Sequence, residues 1–497
     1  MTGTRSVPTT PDRVDERRLL IGGGWVEPGD GTYTIVNPAT EQPVGEAPNA
    51  SVADAEAACV AARQAFPAWA ATAPAERAAL LHAAAEAIRS QAKALLPLVI
   101  AETGATASVG SRMQVPIAAE RFERYARDHR HVVDRPLAPV PTAATPLAPG
   151  GLVNALAHRQ PVGVVACIAS YNFPLVNLAG KIAPALAMGN TVVVKPAPQD
   201  PLAVVALCRI LDEVGFPPGV VNLVNAAGPG PAAAVVASED VDMVSFTGST
   251  EVGARIAAVA APRMARLLME LGGKGACLVL EDGDVDRAVA CIGSTWAFHS
   301  GQICTAPTRA VIHRRHVDEV MTKLAAFAGR LAIGDPTDVK TVVGPLISAA
   351  QRQRVEDAIA SARCDGADVV AGGGRPSRLE RGFYIEPTLI AGTNDMAVAR
   401  HEIFGPVVVA MAVDDEDEAV AVANDSDYGL YDYVFGADTA RAFAIAKRLR
   451  AGHVGINTAQ RNMEAPFGGF KRSGVGRDGG DFSLEAYSEV QSIVWAG

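Results

Sequence analysis

The sequence predicts an α/β protein with two lobes, each a doubly wound parallel sheet with helices on both faces. Three observations support this. The chain has 497 residues, more than one hydrophobic core ordinarily organises. Short apolar runs alternate with helical segments, and they form two separate series along the chain. Wholly apolar strands that alternate with helices are typical of parallel sheets buried on both faces.

The part of the chain before the first series is predicted to be helical. Residues 51–71 and 75–102 are rich in Ala, Glu and Arg at helical spacing. Ser51 followed by Asp54 indicates an N-terminal cap. The first 18 residues are polar, lack the apolar region of a signal peptide and are predicted to be a loose tail. The stretch 136–151, rich in Pro, Ala and Thr, is predicted to extend away from the main body.

The first α/β series begins after Gly163. Its candidate strands are 164–169, 191–195, 220–224, 243–246 and 267–271. Segments with helical spacing, such as 201–215 and 251–261, separate them. We therefore expect a dinucleotide-type sheet, in which ligands bind at the carboxyl ends of the strands.

The second α/β series is predicted to form the other lobe. Its candidate strands are 277–280, 310–313, 407–413, 433–435 and 454–457. The acidic run 414–418 is interpreted as the solvated start of a helix. Active sites in such proteins usually lie between lobes or at strand ends.

Composition excludes several classes of function. The formal net charge of −10 argues against nucleic acid as a partner, because phosphate binding requires a basic surface. The seven cysteines are odd in number and include no CxxC pair, which favours reduced thiols in a cytoplasm over disulfides or a zinc site. We expect no metal. No stretch of 18 apolar residues occurs, so no membrane span is expected.

Three residues are candidates for chemistry. Cys304 follows a glycine-containing turn and could be presented there as a nucleophile, although a lone cysteine is more often a buried apolar residue. Glu270 ends a predicted strand before two glycines and could activate water, or it could be a surface residue at a turn. Asn172 follows the first strand of the sheet, where its amide could stabilise an oxyanion or satisfy the turn.

Other segments suggest a dinucleotide site. Phe246 to Thr250 follows a strand and opens a helix, whose N-terminus offers free N–H groups to a pyrophosphate. Lys195 ends a neighbouring strand, where an amine could hold ribose or phosphate oxygens. Each of these segments could also be an ordinary turn.

Taken together, the motifs resemble those of the aldehyde dehydrogenase superfamily from about Leu20 to the C-terminus. The segments that match in type, order and approximate spacing are YNFP, KPAP, FTGST, ELGGK, GQxC, EIFGP and PFGGxKxSG. The resemblance implies NAD(P)-dependent oxidation of an aldehyde to a carboxylic acid.

The resemblance also implies roles for individual residues. Cys304 would be the nucleophile that forms a thiohemiacetal and then a thioester. Asn172 and the Cys304 N–H would form the oxyanion hole, and Glu270 would activate the hydrolytic water. The cofactor-binding residues would be Ser170, Tyr171, Lys195, Gly228, Phe246, Gly248, Ser249, Leu271, Glu402 and Phe404.

The family fold implies a third, small β element for oligomerisation and a homodimer or homotetramer. The expected division is a dinucleotide-binding domain (19–137 and 159–270), a catalytic domain (271–465) and an oligomerisation element (138–158 and 466–497).

Departures from the family pattern leave three points open. Pro198 stands where many NAD-specific members have a Glu, so NAD is expected but NADP stays possible. His299 stands where Asn is common, and its role is undetermined. The aldehyde is not readable: Arg124 and Arg461 would suggest an acidic substrate if they faced the pocket, but we expect both to be solvated.

Three other functions compete with hydrolytic aldehyde oxidation. The first is a coenzyme A-acylating or other specialised semialdehyde dehydrogenase, of which the acylating type is disfavoured because its members generally lack the carboxylate of Glu270. A non-enzymatic binding protein would be expected to lose Cys304 or Glu270. A cofactor-free cysteine hydrolase would need a histidine base, and it would leave the strand–FTGST–helix unit without a purpose.

Overall fold

The computed structural model describes residues 17–127 and 134–496. Its largest sheet has eight strands, of which the five central ones are parallel. In spatial order they are Gly474–Val475, Arg266–Glu270, Met243–Thr247, Val164–Ile168, Thr191–Lys195, Val221–Leu223, Leu19–Ile21 and Gly24–Val26. All five strands predicted for the first series are present, and the doubly wound fold is confirmed.

The central strands are buried on both faces. Val165 and Cys167 lie in one hydrophobic cluster, whereas Val164 and Ala166 lie in another. This alternation follows from the two-residue period of a strand. It explains why the strands read as unbroken apolar runs.

Helices before residue 271 cover this sheet. They are Val52–Ala71, Pro74–Ser90, Ala92–Thr103, Ala107–Val109, Val115–Arg127, Pro174–Ala187, Leu202–Val214, Gly230–Ala237 and Thr250–Ala260. The predicted capping box forms, with Ser51 Oγ accepting from the N–H of Asp54 at 3.2 Å and Asp54 Oδ2 accepting from the N–H of Ser51 at 2.8 Å. Such a cap stabilises a helix by about 1 kcal/mol. The helix predicted over 75–102 is two helices, which meet at Gln91.

The second lobe has a sheet of seven strands, of which only the outermost pair is antiparallel. In spatial order they are Asp368–Ala371, Thr388–Ala391, Val407–Val413, Arg309–His313, Ala276–Val279, Tyr431–Phe435 and His453–Ile456. The principal helices of the lobe are Val285–Trp296, Val317–Arg330, Ala349–Cys364, Glu416–Asn424 and Thr439–Ala446. Asp415 caps the helix predicted near 414–418.

Two smaller sheets complete the fold. Thr32–Val36 pairs with Pro43–Pro48. Arg135–Thr142, Gly151–Pro161 and Ser488–Ala496 form a three-stranded antiparallel sheet. The proline-rich stretch thus supplies an edge strand, a position in which proline is tolerated because no ladder hydrogen bond is lost.

The two lobes meet where the chain passes from one sheet to the other. The strand Arg266–Glu270 of the first sheet leads through residues 271–275 into Ala276–Val279 of the second. This crossing places the end of one sheet beside the loops of the other. Within the described ranges, no helix is long and apolar enough to cross a membrane.

Candidate active site

The candidate residues gather where the order of the first sheet reverses. On one side Val164–Ile168 pairs with the next strand of the chain, Thr191–Lys195. On the other side it pairs with a later strand, Met243–Thr247. Such a reversal opens a crevice at the carboxyl ends of the strands. Asn172, Lys195, Gly248 and Glu270 all lie at or just beyond those ends.

Two glycines allow the crossing between the lobes to approach other loops. A Cβ on Gly272 would lie 2.2 Å from Glu402 Oε2, and a Cβ on Gly273 would lie 2.4 Å from the carbonyl oxygen of Cys304. Neither position has room for a side chain. Because both positions are glycine, Cys304 and Glu402 of the second lobe can lie against the strand end that carries Glu270.

Cys304 follows a strained turn. His299 (φ 47°) and Ser300 (φ 56°) adopt left-handed conformations, each costing about 1 kcal/mol for a residue with a side chain. Ser300 Oγ donates to the carbonyl of Gly344 at 2.6 Å. Gln302 Oε1 accepts from the N–H of Ile347 at 3.0 Å. These buried bonds hold the turn in place and so fix the position of the thiol.

His299 is buried beside this turn. Its ring centroid lies 5.2 Å from that of Phe173. Burial lowers the pKa of His299 to about 4, and the backbone of Asn172 opposes this only in part. The imidazole is therefore neutral near pH 7. The left-handed backbone gives a reason for Asn or His at this position, since both are enriched in that conformation.

The amide of Asn172 is held by several neighbours. Its Oδ1 accepts from Ser170 Oγ at 2.9 Å and from Asn177 Nδ2 at 3.2 Å. Its Nδ2 donates to the carbonyl of Gln302 at 2.9 Å. Gln114 Nε2 donates to its backbone carbonyl at 3.2 Å. Because an amide nitrogen carries two protons, the fixed side chain retains one N–H for another acceptor.

Glu270 is a buried carboxyl at the end of its strand. Neither oxygen has a hydrogen-bond partner among the described residues. Burial raises the pKa of Glu270 well above its usual range, and Asp478 raises it further, whereas Lys181 and Arg461 lower it. The proton-bearing form is thereby favoured, and the unpartnered oxygens are available to a water molecule.

The strand ends also offer groups suited to a dinucleotide. Lys195 is buried, its Nζ donates only to the carbonyl of Pro196 at 2.8 Å among the described atoms, and burial lowers its pKa to about 8. Ser249 is the exposed N-cap of Thr250–Ala260. The Phe246 ring lies over Gly248, where a Cβ would be 2.3 Å away. Leu271 packs on Gly253, 2.6 Å from where its Cβ would be.

The second lobe contributes two further candidates. Glu402 Oε1 accepts from the N–H of Gly273 at 3.0 Å, and burial raises the pKa of this carboxyl to about 7. Phe404 has a left-handed backbone (φ 56°) and meets Tyr171 edge to face, with ring centroids 5.7 Å apart. Gly228, by contrast, lies on an exposed loop, and no atom of the described chain lies within 4 Å of its Cβ position.

A family model for aldehyde dehydrogenases matches residues 25–493 of this chain. The chain belongs to the aldehyde dehydrogenase family. It is 38% identical to 3-succinoylsemialdehyde-pyridine dehydrogenase of Pseudomonas sp, over 97% of this chain and 98% of the relative. It is 36% identical to betaine aldehyde dehydrogenase 1 of Oryza sativa subsp. japonica, over 97% and 96%.

Solved structures agree with this assignment. Aldehyde dehydrogenase C from Pseudomonas syringae, solved as a mutant with NAD⁺ and octanal, matches with a TM-score of 0.90 at 39% identity over 98% of each chain. The NAD⁺ complex of an aldehyde dehydrogenase from Bacillus cereus matches with a TM-score of 0.91 at 35% identity over 97% of each. The chain is accordingly an NAD(P)-dependent aldehyde dehydrogenase.

The structure of this aldehyde dehydrogenase adds residues that the sequence did not single out. Lys181 is buried and donates to Ser245 Oγ at 3.1 Å, and its charge acts on Glu270. Asp478 acts on the same carboxyl. Lys181 sits within an apolar helical segment and Asp478 follows the PFGGxKxSG motif by a few residues, so neither stood out from its neighbours.

The two arginines expected to be solvated differ from each other. Arg124 pairs with Glu464 and Asp481 and stacks on Tyr125. Arg461 instead lies over the Phe467 ring, 3.9 Å from its centroid. Its charge also lowers the pKa of Cys304. Arg461 therefore lies near the thiol, and it is exposed as expected. Arg124 is ion-paired and its side chain is only 16% exposed, so the expectation of simple solvation was wrong for Arg124.

The environment of Cys304 predicts how its reactivity depends on pH. Burial raises the pKa of the thiol to about 12, and Arg461 only partly opposes this. Because the thiolate is the reacting form, alkylation by iodoacetamide should accelerate about tenfold per pH unit between pH 7 and 9 in the protein without cofactor. The rate is measured by mass spectrometry of the Cys304 peptide in a Cys364→Ser background, since Cys364 is exposed. A plateau near pH 7 would contradict this.

Proposed function

We propose that Cys304, Asn172 and Glu270 carry out the oxidation of an aldehyde to its acid. The observation that supports this is their convergence near the Gly272–Gly273 crossing, where the Cys304 backbone meets Gly273, Asn172 bonds to the carbonyl of Gln302, and Glu270 acts on the pKa of the thiol. A thiol, a fixed amide donor and an unpartnered buried carboxyl from three separate segments meet there. This set supplies a nucleophile, an oxyanion donor and a base, which are the three groups that acyl chemistry requires.

The first step is addition of the Cys304 thiolate to the aldehyde carbon. The carbonyl oxygen then takes up the electron pair and becomes an oxyanion. The N–H that Asn172 retains, together with the N–H of Cys304, stabilises that charge. Removal of one such donor typically slows acyl chemistry by about 10²–10³-fold. The anchoring of Asn172 by Ser170 and Asn177 keeps the donor aimed without reorganisation.

The residues at the strand ends fit a nicotinamide dinucleotide. Lys195 holds a buried amine with only one neighbouring acceptor, Ser249 opens a helix with free N–H groups, and Glu402 holds a buried carboxyl. These are the groups expected for ribose, pyrophosphate and the second ribose. Ser170, Tyr171, Gly228, Phe246, Gly248, Leu271 and Phe404 would complete the site. The nicotinamide, when bound, supplies the hydride acceptor that converts the thiohemiacetal to a thioester.

Glu270 then activates the water that hydrolyses the thioester. Its carboxylate accepts a proton from water, the hydroxide adds to the acyl carbon, and the Cys304 thiolate leaves. The acid is released and the thiol is regenerated. A buried carboxyl without protein partners is suited to this, because its oxygens are not already engaged.

Hydrolysis is distinguished from acyl transfer by the product. Purified protein is mixed with a panel of aldehydes and NAD, with and without coenzyme A, while absorbance at 340 nm is followed. We expect cofactor reduction without coenzyme A and release of free acid. Reduction that requires coenzyme A, with an acyl thioester as product, would replace the hydrolytic proposal with the acylating one.

We infer that the enzyme prefers NAD over NADP by a small margin. Pro198 presents no positive charge to attract a 2′-phosphate and no carboxylate to repel one, and its carbonyl accepts from Tyr33 OH at 2.8 Å. A Pro198→Glu variant should lower kcat/KM for NADP about tenfold more than for NAD, because the new charge would oppose the 2′-phosphate at close range. Gln199→Glu, which adds the same charge at the exposed next position, is the control. An equal effect of Pro198→Glu on both cofactors would contradict this.

The finer organisation is also proposed here. The division into 19–137 with 159–270, 271–465, and 138–158 with 466–497 is supported by the separate sheets, although Gly474–Val475 pairs with the first one. The three-stranded sheet exposes apolar side chains, including Val140, Leu152, Val490, Val494 and Trp495. This supports its use in a homodimer or homotetramer. All seven cysteines are free, which supports a cytoplasmic location.

A further inference from the structure

Two arginines near Cys304 have no partner among the described residues. Arg461 and Arg121 make no hydrogen bond or ion pair to any other described side chain, and the Nε of Arg121 is fully buried. Arg121 is half-buried, where a charge is normally paired, whereas Arg461 is exposed beside it. Arg121 also lowers the pKa of Arg461, which means that the two like charges act on each other. Two neighbouring cations without a counter-charge form a site for an anion.

The position of Arg461 is fixed by an aromatic wall that leads to the thiol. Its guanidinium stacks on Phe467, whose ring centroid lies 5.3 Å from that of His453. His453 stacks on Tyr431 at 5.0 Å. Tyr431 contacts Tyr433 at 4.5 Å.

The wall ends next to Cys304. The hydroxyl of Tyr433 donates to the carbonyl of Thr305 at 2.9 Å. Tyr431 and Tyr433 belong to one hydrophobic cluster, and both Phe467 and Cys304 pack against it. Arg461 is thus anchored on the same surface as the thiol.

Arg121 reaches the site from the other lobe. Its guanidinium lies over Gly180, where a Cβ would be 2.7 Å from Nη1. Gly180 is one turn beyond Asn177, which holds Asn172. The glycine is therefore what allows Arg121 to lie flat on this helix, on the side that carries the oxyanion donor.

None of the described acids near these arginines forms an ion pair with Arg461 or Arg121. Glu464 and Asp481 are engaged by Arg124. Burial raises the pKa of Glu270 well above its usual range, and neither of its oxygens bonds to a described group. Asp478 is bonded by Ser483 Oγ and by the N–H of Gly479. The guanidinium groups of Arg461 and Arg121 can therefore pair with a bound anion.

We propose that the substrate is an aldehyde bearing a carboxylate, which Arg461 and Arg121 bind while Cys304 attacks the carbonyl. This rests on the proposed role of Cys304. Arginine is suited to the task because its planar fork binds a carboxylate bidentately. The same pair of charges disfavours a substrate with a quaternary ammonium group, and the stacked ring of Phe467 is already covered by a cation.

The experiment compares succinic semialdehyde with butanal and with betaine aldehyde, at saturating NAD and constant ionic strength. The wild type should show a kcat/KM at least about 100-fold higher for succinic semialdehyde than for butanal. Arg461→Gln should reduce that ratio at least tenfold, and Arg461→Lys should restore part of it. Any general effect of Arg461 on the thiol acts on both substrates and cancels in the ratio.

Arg127→Gln is the matched control, because Arg127 is on the same helix as Arg121 but is exposed and, among the described residues, forms an ion pair with Glu123, at 3.7 Å. It should leave the ratio unchanged, whereas Arg121→Gln should reduce it. Equal or better use of butanal or betaine aldehyde by the wild type would overturn the proposal. So would an Arg461→Gln variant that keeps the full preference.

A second measurement does not depend on turnover. Glutarate should slow alkylation of Cys304 in the wild type at millimolar concentration, while the neutral glutaramide should not, and Arg461→Gln should remove the difference. Absence of cofactor reduction with every aldehyde would refute the proposed function and leave this anion test intact. Equal protection by glutarate and glutaramide would refute the anion site alone.

Discussion

A Cys304→Ala variant should lose aldehyde oxidation by at least about 10⁴-fold, because no other group can form the covalent intermediate. The methyl group of alanine fits the space left by the thiol, so the fold and the cofactor site should be retained. The measurement is kcat from absorbance at 340 nm. Retention of NAD binding, followed by fluorescence quenching or calorimetry, separates loss of chemistry from loss of structure.

Cys291 and Cys364 provide controls for this result. Cys364 is exposed and Cys291 is a buried residue of the second lobe. Neither Cys364→Ser nor Cys291→Ala should lower kcat more than a few fold. Residual activity of Cys304→Ala within about tenfold of the wild type would mean that the thiol is not the nucleophile and that the convergence at the Gly272–Gly273 crossing has another purpose.

Most of the strand positions were predictable, because burial on both faces leaves an unmistakable pattern. The strand predicted over 164–169 is Val164–Ile168, and that predicted over 191–195 has the same bounds. A parallel strand that packs helices on each side has no polar face, so its limits coincide with the limits of the apolar run. The acidic residues and glycines that follow such runs therefore mark the edge of the sheet at which the functional residues lie.

Other elements depended on partners far away in the chain. The break at Gln91 is not visible in the sequence because the Ala-rich spacing continues through it, although the backbone of this residue (φ −93°, ψ 7°) lies in the bridge region outside the helix. The residues of the strand Arg135–Thr142 predict only an extended stretch, and the β element that includes 138–158 is implied by the family resemblance alone. Its prolines are poor strand formers, and it is the pairing with Gly151–Pro161, itself paired with Ser488–Ala496, that makes it regular.

The functional residues also fall into those that the sequence alone identifies and those that depend on the fold. Cys304, Asn172 and Glu270 lie in short motifs, so the sequence could name them before their geometry was known. Lys181 and Arg121 carry no motif, because their importance comes from what the fold places beside them. The left-handed backbone at Phe404 and His299 was equally hidden, since a positive φ in a residue with a side chain is imposed by tertiary contacts.

A Glu270→Gln variant should reduce one equivalent of NAD per site and then slow by about 10²–10⁴-fold. The thiol and the oxyanion donors remain, so the thioester still forms. Glutamine has nearly the same shape but cannot accept the proton from water, and the acyl group stays on Cys304. Stopped-flow absorbance at 340 nm measures the burst, and mass spectrometry of the quenched protein identifies the acylated cysteine. Hydroxylamine, a nucleophile that needs no base, should restore turnover.

The pH dependence of deacylation is an independent test of the role of Glu270. Burial and Asp478 raise the pKa of Glu270, so the carboxylate form is scarce at low pH and becomes more abundant as the pH rises. Deacylation in the wild type should therefore accelerate with rising pH, and this ascending limb should be absent in Glu270→Gln.

Glu402→Gln is the contrasting variant, because Glu402 is a carboxyl at the same crossing and accepts a hydrogen bond from the N–H of Gly273. It should raise KM for NAD without trapping the thioester. If Glu270→Gln instead shows no burst, or turns over at the wild-type rate, the carboxyl of Glu270 is not the base for hydrolysis.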